Sequence, residues 1–279
     1  MTDGPTVRLI RRDDVATIEI DNPEQRNALS FAMVDQFHAA LDEIEADDTF
    51  GAVVVRGAAG TFCSGLARDA IGEQRTDPVA TVSTRRSTRV YATFTRLGAL
   101  PVPTFAAVRG AAVGAGLNLA LAPDLRIVAD DARLLAGFTR LGLHPGGGFF
   151  ALASSRMGRE AAMALGVAGE ELSGAEAGAR GWVWRSLPDA EVEDATHALA
   201  ARCARDPELA RATVRSFRTI AGPPALPWES AVEIERAPQA WTFRRLVERE
   251  EQAAGEAGRA SGHRTGAADG AGHREGGTP

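Results

Sequence analysis

Hydrophobic and polar positions alternate with two different periods along the first part of the chain. VRLIRRDDVATIEI, residues 7–20, has two short runs rich in β-branched side chains around a polar turn, which predicts a β-hairpin. SFAMVDQFHAALDEIEADD repeats its apolar side chains at helical spacing, so it predicts an amphipathic helix with Ser30 as N-cap and His38 on its flank. GAVVVRGA, residues 51–58, is typical of a buried strand.

The middle of the chain repeats the order strand, loop, helix. A small-residue loop, GTFCSGL, and a polar segment from Asp69 to about Ser87 precede TRVYATFTRLGAL, which predicts a helix. PVPTFAAVRG, LRIVADD and ARLLAGF predict strands, and LGLHPGGGFFALASSRMG predicts a glycine loop that leads into a helix. This alternation indicates an α/β core.

The pattern becomes helical beyond about residue 188 and ends in a polar tail. We predict a core over residues 1–188, a helical region over 189–257 and a disordered tail over 258–279, because the tail has no large apolar side chain to bury. The chain of 279 residues is 44% hydrophobic and 24% charged, which is typical of a folded globular protein.

Composition and charge exclude several classes of protein. The formal net charge of −6 argues against nucleic-acid binding, which needs a basic surface. No apolar run is long enough to span a membrane and no secretory signal is recognisable, so we expect a cytoplasmic protein that does not bind membranes.

The two cysteines, Cys63 and Cys203, lack metal-ligand spacing, and we expect no metal. Every basic residue is arginine, so guanidinium or backbone N–H groups would have to hold any anionic ligand.

Two loops join the end of a strand to the start of a helix through small residues. GTFCSGLARD, residues 60–69, and RGAAVGAGLNLAL, residues 109–121, allow the backbone to approach a ligand closely, and both present N–H groups that have no helical partner. Two such groups that converge would form an oxyanion hole for an enolate or a tetrahedral oxyanion. Asn118 is a lone amide among the apolar side chains of the second loop.

Four motifs occur in order along the chain: NPEQRNALS at 22–30, GTFCSGL at 60–66, VRGAAVGAGLNLALAPDLRIVADDARL at 108–134 and LGLHPGGG at 141–148. They resemble the crotonase superfamily, also called the enoyl-CoA hydratase/isomerase superfamily. The resemblance implies a crotonase-like spiral of repeated ββα units with a C-terminal helical trimerisation region. It also implies an acyl-CoA thioester as ligand, no cofactor other than the coenzyme A of that substrate, and a homotrimer or a dimer of trimers.

The resemblance also assigns residues to the oxyanion hole and the acyl pocket. It places the two N–H donors at Leu66 and Ala115, and since the backbone does this work, alanine serves there as well as the family's usual glycine. Phe138 and Gly116 are expected in the acyl pocket.

Coenzyme A is expected against the first loop. The resemblance places its adenine end near Ser64 and Leu66, and Arg26 and Arg68 are the nearest cationic side chains for its phosphates.

The family's hydratases use two glutamates, and this chain has neither at the corresponding positions. Asn118 stands at the first and Phe138 at the second, and neither side chain transfers a proton at neutral pH. Loss of one general acid or base ordinarily lowers the rate by about 10² to 10⁴. The pattern therefore favours binding, isomerisation, decarboxylation or carbon–carbon cleavage over addition of water, with Asn118 orienting water or substrate through its amide.

His144, directly before the glycines of the last motif, is the candidate substitute acid or base, and Asp69 is a second candidate. The alternative for His144 is a ring that packs under its loop and bonds a backbone carbonyl. Two functions follow: an atypical lyase or isomerase that uses His144 and Asn118, or a catalytically silent acyl-CoA-binding protein that delivers acyl-CoA to a partner.

Overall fold

A computed structural model of the protein describes residues 4–71, 81–221 and 251–255. The chain divides into two compact units, Met1–Arg215 and Ser216–Pro279. No helix among the described residues is both long enough and apolar enough to cross a membrane.

The strands of the described residues form two sheets. They are β1 (Thr6–Arg12), β2 (Val15–Asp21), β3 (Ala52–Gly57), β4 (Thr104–Val108), β5 (Ala111–Val113), β6 (Leu125–Ala129), β7 (Arg133–Leu135), β8 (Glu171–Ser173) and β9 (Arg185–Leu187). The larger sheet has the order β1-β2-β3-β4-β6-β9, in which only β1 and β2 pair antiparallel. The smaller has the order β5-β7-β8, with β5 parallel to β7.

Helices follow these strands in a repeating order. They are α1 (Phe31–Ala46), α2 (Thr81–Ala99), α3 (Ala115–Leu121), α4 (Phe149–Met157), α5 (Arg159–Met163), α6 (Gly174–Ala179), α7 (Val192–Ala204) and α8 (Pro207–Ala221). Short 3₁₀ turns cover Pro23–Gln25, Thr139–Leu141 and Asp189–Glu191, and Ala164–Ala168 is a π-helical turn. The chain twice runs from a strand of the larger sheet to one of the smaller sheet and into a helix, through β4-β5-α3 and β6-β7-α4. This is the expected ββα unit.

Helix α1 follows its sequence pattern closely. The Ser30 hydroxyl accepts a hydrogen bond from the backbone N–H of Met33 at 3.2 Å, which confirms the N-cap. Of the predicted apolar stripe, Phe31 is partly buried and the rest is fully buried: Val34, Phe37, Leu41 and Ile44. The helix therefore contributes one continuous face to the core, packed against the larger sheet.

His38 differs from its prediction. Only 3% of the residue is exposed, so it lies inside the protein and not on the flank of α1. Its Nε2 lies 2.9 Å from the carbonyl oxygen of Arg89, and Nη1 of Arg96 lies 3.0 Å from its Nδ1. Both partners are on α2, more than fifty positions along the chain, and local periodicity carries no signal of them.

Helix α2 begins at Thr81, within the segment that was predicted to be a polar connection up to about Ser87. Its apolar stripe starts only at Val90, because the first turns present threonine and arginine. Residues 72–80 of the same predicted segment lie outside the described residues.

The region after residue 188 starts within the first compact unit. Val192, Thr196 and Ala200 of α7 are buried, and the helix packs against β3, β4 and β6. Most of the predicted helical region beyond residue 221, and the whole predicted tail at 258–279, lie outside the described residues.

Candidate active site

The two small-residue loops lie side by side. Cys63 pairs with Ala112 as in a parallel sheet: its N–H donates to Ala111 O at 3.0 Å, and Val113 N–H donates to Cys63 O at 3.0 Å. A β-carbon at Gly116 would overlap the carbonyl oxygen of Cys63. The glycine is needed there because two backbones are in contact.

Leu66 is held by its neighbours. Leu29 N–H donates to Gly65 O at 2.8 Å and Ala67 N–H donates to Leu29 O at 2.9 Å, the pattern of a parallel bridge between Leu29 and Leu66. In such a bridge the N–H of Leu66 points away from Leu29. It has no acceptor in the described part of the chain.

Ala115 presents a second N–H of this kind. The N–H groups of Leu117 and Asn118 both donate to Gly114 O, at 3.0 and 3.1 Å, whereas that of Ala115 has no acceptor among the described residues. A β-carbon at Gly65 would lie 3.7 Å from the Ala115 nitrogen, so the two loops are close at this point.

A pocket of about 330 Å³ has both Leu66 and Ala115 in its wall. We call it the acyl pocket, because the motifs predict the acyl group of the ligand here. Most of its other side chains are apolar: Ile71, Val90, Phe94, Val113, Ala136, Phe138, Leu141 and Leu143. Its polar side chains, among the described residues, are Ser64, Tyr91, Asn118 and His144, and no carboxylate lines it there.

A second hollow, of about 750 Å³, adjoins the first at Ser64 and Leu66, which line both. Arg26 and Arg68 line it with exposed side chains, so the four residues expected to hold coenzyme A surround one space. The Ser64 hydroxyl itself donates to Gln25 O at 2.9 Å. Asp69 lines this second hollow, and it is not among the described residues that line the acyl pocket.

Comparison with known proteins decides the family. A family model for enoyl-CoA hydratase/isomerase matches residues 11–236. The chain belongs to the enoyl-CoA hydratase/isomerase family. It is 38% identical over 229 residues to a probable enoyl-CoA hydratase of Mycobacterium tuberculosis, covering 81% of this chain and 88% of the relative. It is 32% identical over 193 residues to the 1,2-epoxyphenylacetyl-CoA isomerase of Escherichia coli, covering 69% and 74%.

Solved structures agree with this assignment. The enoyl-CoA hydratase of Mycobacterium smegmatis superposes with a TM-score of 0.76 at 25% identity, over 85% of this chain and 90% of that one. The crotonase fold predicted from the motifs is therefore confirmed. As a member of the enoyl-CoA hydratase/isomerase family, the protein acts on CoA thioesters.

Asn118 is held in this family member by the glycine loop. It is 1% exposed, and its Nδ2 donates to Gly146 O at 2.8 Å, with Gly147 O at 3.4 Å. Its Oδ1 is buried and has no hydrogen-bond partner in the described structure. The amide thus fixes the loop from the wall of the acyl pocket.

His144 is exposed at the mouth of the acyl pocket. Its Nδ1 lies 2.7 Å from the carbonyl oxygen of Pro145, and its ring meets Phe150 edge-on at 6.1 Å. A carbonyl only accepts, so in the neutral ring Nδ1 carries the proton and Nε2 keeps a lone pair. His144 thus has the bond to a backbone carbonyl that the structural interpretation predicts, and it also has the position in the pocket that the catalytic interpretation requires.

Phe138 lines the acyl pocket and meets Phe149 edge-on at 5.9 Å. Gly116 lies against Cys63, and the lining of the pocket does not include it, because its neighbours Gly114 and Ala115 form the wall instead.

Helix α2 also contributes to the acyl pocket, and no pattern in the sequence predicted this. Val90, Tyr91 and Phe94 line the acyl pocket from this helix. One available signal was that Tyr91 is the chain's only tyrosine and lies beside the helix's apolar stripe.

Proposed function

We propose that this member of the family binds an acyl-CoA thioester across the two hollows and catalyses a proton-transfer reaction on its acyl group, an isomerisation or a related lyase reaction, without adding water. One observation carries the proposal. The acyl pocket combines two unpaired backbone N–H groups with His144 and has no carboxylate among its described lining residues. A relative named as an isomerase of a CoA thioester supports the same class of reaction.

The N–H groups of Leu66 and Ala115 would bind the thioester oxygen. Donors that are already aimed at an oxygen stabilise the enolate more than the ground-state carbonyl, since the negative charge develops on that oxygen. Neither group must first break a hydrogen bond within the described chain. No cofactor beyond the coenzyme A of the substrate is needed for this step.

His144 would act as the base. Its Nε2 has the lone pair needed to remove a proton from the carbon next to the carbonyl, while Nδ1 stays bonded to Pro145 O. Phe138 keeps that part of the pocket apolar, which disfavours addition of water.

Coenzyme A would lie in the second hollow. Arg26 and Arg68 are exposed there, make no ion pair within the described part of the chain, and would meet its phosphates. The backbone around Ser64 and Leu66 would border the adenine end. The thioester would then pass Leu66, where the two hollows adjoin.

We further propose that the protein is cytoplasmic and assembles as a homotrimer or a dimer of trimers. Light scattering coupled to size-exclusion chromatography measures the mass of the assembly directly, and a monomeric mass would contradict this part of the proposal.

The experiment follows one substrate, trans-3-hexenoyl-CoA, in deuterium oxide. We expect the wild type to exchange the α-proton and to shift the double bond into conjugation, which absorbance detects. His144→Ala should lower both rates by about 10² or more. His197→Ala, a histidine of α7 that lines neither hollow, is the matched control and should change neither.

Other outcomes discriminate the alternatives. Rapid loss of crotonyl-CoA absorbance would show hydration and contradict the proposal. Calorimetric binding of acyl-CoA with neither exchange nor isomerisation would show the catalytically silent carrier that delivers acyl-CoA to a partner.

A further inference from the structure

Tyr91 is placed to take part in the chemistry of the acyl pocket. It lies on α2 between Val90 and Ala92, and it lines the pocket together with Val90 and Phe94. It is 44% exposed, so its ring borders both the pocket and solvent. A phenol on this wall stands out because most of the lining is apolar.

The Tyr91 hydroxyl lies against the glycine loop. A β-carbon at Gly146 would be 2.7 Å from its oxygen and 3.4 Å from Cζ, so any other residue at 146 would displace the phenol. The carbonyl of Gly146 is already bonded to Asn118 Nδ2. The hydroxyl has no hydrogen bond to the described part of the chain.

Tyr91 and His144 approach the pocket from different elements and meet the same short loop. His144 precedes Gly146 by two residues, and the Tyr91 hydroxyl touches Gly146 from α2. The remaining hydroxyl of the lining, on Ser64, donates to Gln25 O. Tyr91 and His144 are thus the described lining side chains that can serve as a general acid or base, with an uncommitted proton on the phenol and an available lone pair on Nε2.

We propose that Tyr91 is a second catalytic residue, the proton donor that completes the reaction begun by His144. This inference rests on the proposed function and names the substrate as an acyl-CoA with a β,γ double bond. A tyrosine hydroxyl is one of the groups that serve as general acids.

The step balances without another reactant. His144 Nε2 takes a proton from the α-carbon, and the electron pair of that C–H bond forms a dienolate whose oxygen is held by Leu66 and Ala115. The Tyr91 O–H bond breaks and its proton joins the γ-carbon, while the enolate electrons form the α,β double bond and restore the carbonyl. The imidazolium then returns its proton to the phenolate, so the net change is a shift of the double bond.

The test is Tyr91→Phe, which keeps the ring against Gly146 and removes the hydroxyl. With trans-3-hexenoyl-CoA in deuterium oxide, we expect the double-bond shift to slow by about 10² or more. Exchange at the α-carbon should persist, because it needs only His144 and the oxyanion hole. The ratio of the exchange rate to the isomerisation rate is measured within one sample. It therefore reports the selective loss of isomerisation independently of how much of the variant folds.

Thr95→Ala is the matched control. It removes an exposed hydroxyl one turn further along α2. Thr95 is not among the described residues that line either hollow, so the variant should leave both rates unchanged.

The results distinguish a failure of the Tyr91 proposal from a failure of the proposed function. A Tyr91→Phe enzyme that isomerises as fast as an active wild type overturns the role of Tyr91 and leaves the proposed function standing. Loss of exchange and isomerisation together in Tyr91→Phe would also overturn it, because the hydroxyl would then serve the first step. A wild type that does neither reaction overturns both proposals.

Discussion

The side-chain amide of Asn118 donates a hydrogen bond to the carbonyl oxygen of Gly146 at 2.8 Å. The bond joins α3, which begins at one N–H of the candidate oxyanion hole, to the loop that carries His144. Asn118 thus holds together two parts of the acyl pocket.

Asn118→Asp should release that loop. The variant has the same size, but an ionised carboxylate cannot donate to Gly146 O and leaves a buried charge beside it. We expect a loss of about 1–3 kcal/mol in the free energy of unfolding and faster hydrogen exchange over residues 142–148. Acidification should restore part of the stability relative to wild type, because a protonated carboxyl donates again. Unchanged exchange at neutral pH would contradict this anchoring role.

Gly116→Ala should disturb both loops of the candidate oxyanion hole. The added methyl group overlaps Cys63 O, so one backbone must move, and we expect a loss of about 1–3 kcal/mol in chemical denaturation. Gly4→Ala is the control, because no atom beyond those of its chain neighbours lies within 4 Å of the position of its β-carbon. Equal stability of the two variants would show that the loops can separate without cost.

Arg26→Ala and Arg68→Ala should each weaken the binding of coenzyme A. Both side chains are exposed, so we expect about 1 kcal/mol each, roughly a five-fold rise in Kd at low salt. The difference should shrink as salt is added. Arg185→Ala, on β9 and away from both hollows, should bind as wild type does in the same calorimetric titration.

Cys63 should be inert to thiol reagents although it lies in a candidate active-site loop. Burial raises the pKa of its thiol to about 12, which leaves almost no thiolate at neutral pH. A Cys203→Ser variant isolates Cys63, and we expect no colour from a disulfide reagent until the protein is unfolded. Rapid labelling of the native variant would mean that the loop opens readily.

Asp189 should contribute stability that depends on pH. Hydrogen bonds from Arg109, whose Nε lies 3.0 Å from both carboxylate oxygens, lower the pKa of Asp189 below its ordinary value of 3.8. Because the pKa of Asp189 is lower in the folded protein, its ion pair contributes its full stability at pH values above 3.8. This contribution disappears as the pH falls through the pKa of the folded protein.

Asp189→Asn should therefore be less stable than wild type at neutral pH, by up to about 1 kcal/mol because the pair is partly exposed, and equally stable in strong acid. Asp131→Asn, an exposed aspartate on the turn between β6 and β7, should follow the wild-type curve. Denaturation measured at several pH values compares the three proteins.

Local patterns predicted the elements and part of the site. The stripe of α1, the Ser30 cap and the strand at Ala52–Gly57 follow from spacing that residues impose on their near neighbours. The two small-residue loops were recognisable for the same reason, since close backbone approach needs glycine.

The features of the fold and of the candidate site that local patterns did not predict depend on contacts between distant segments. His38 is buried because of α2, and the arginine-rich first turns of α2 have no apolar pattern from which to predict a helix. The phenol of Tyr91 reaches the pocket only because Gly146, 55 positions later, leaves room for it. A single residue's neighbours in sequence do not contain that information.

The use of arginine in place of lysine has a chemical consequence, because members of this family act on thioesters. Arg109 carries a guanidinium, as every permanently charged basic side chain of the chain does, and the chain has no lysine amine. Thioesters acylate amines spontaneously, whereas a guanidinium that keeps its proton is not a nucleophile. With Cys63 buried as well, the first loop of the candidate site presents neither an amine nor an accessible thiol to an activated acyl group.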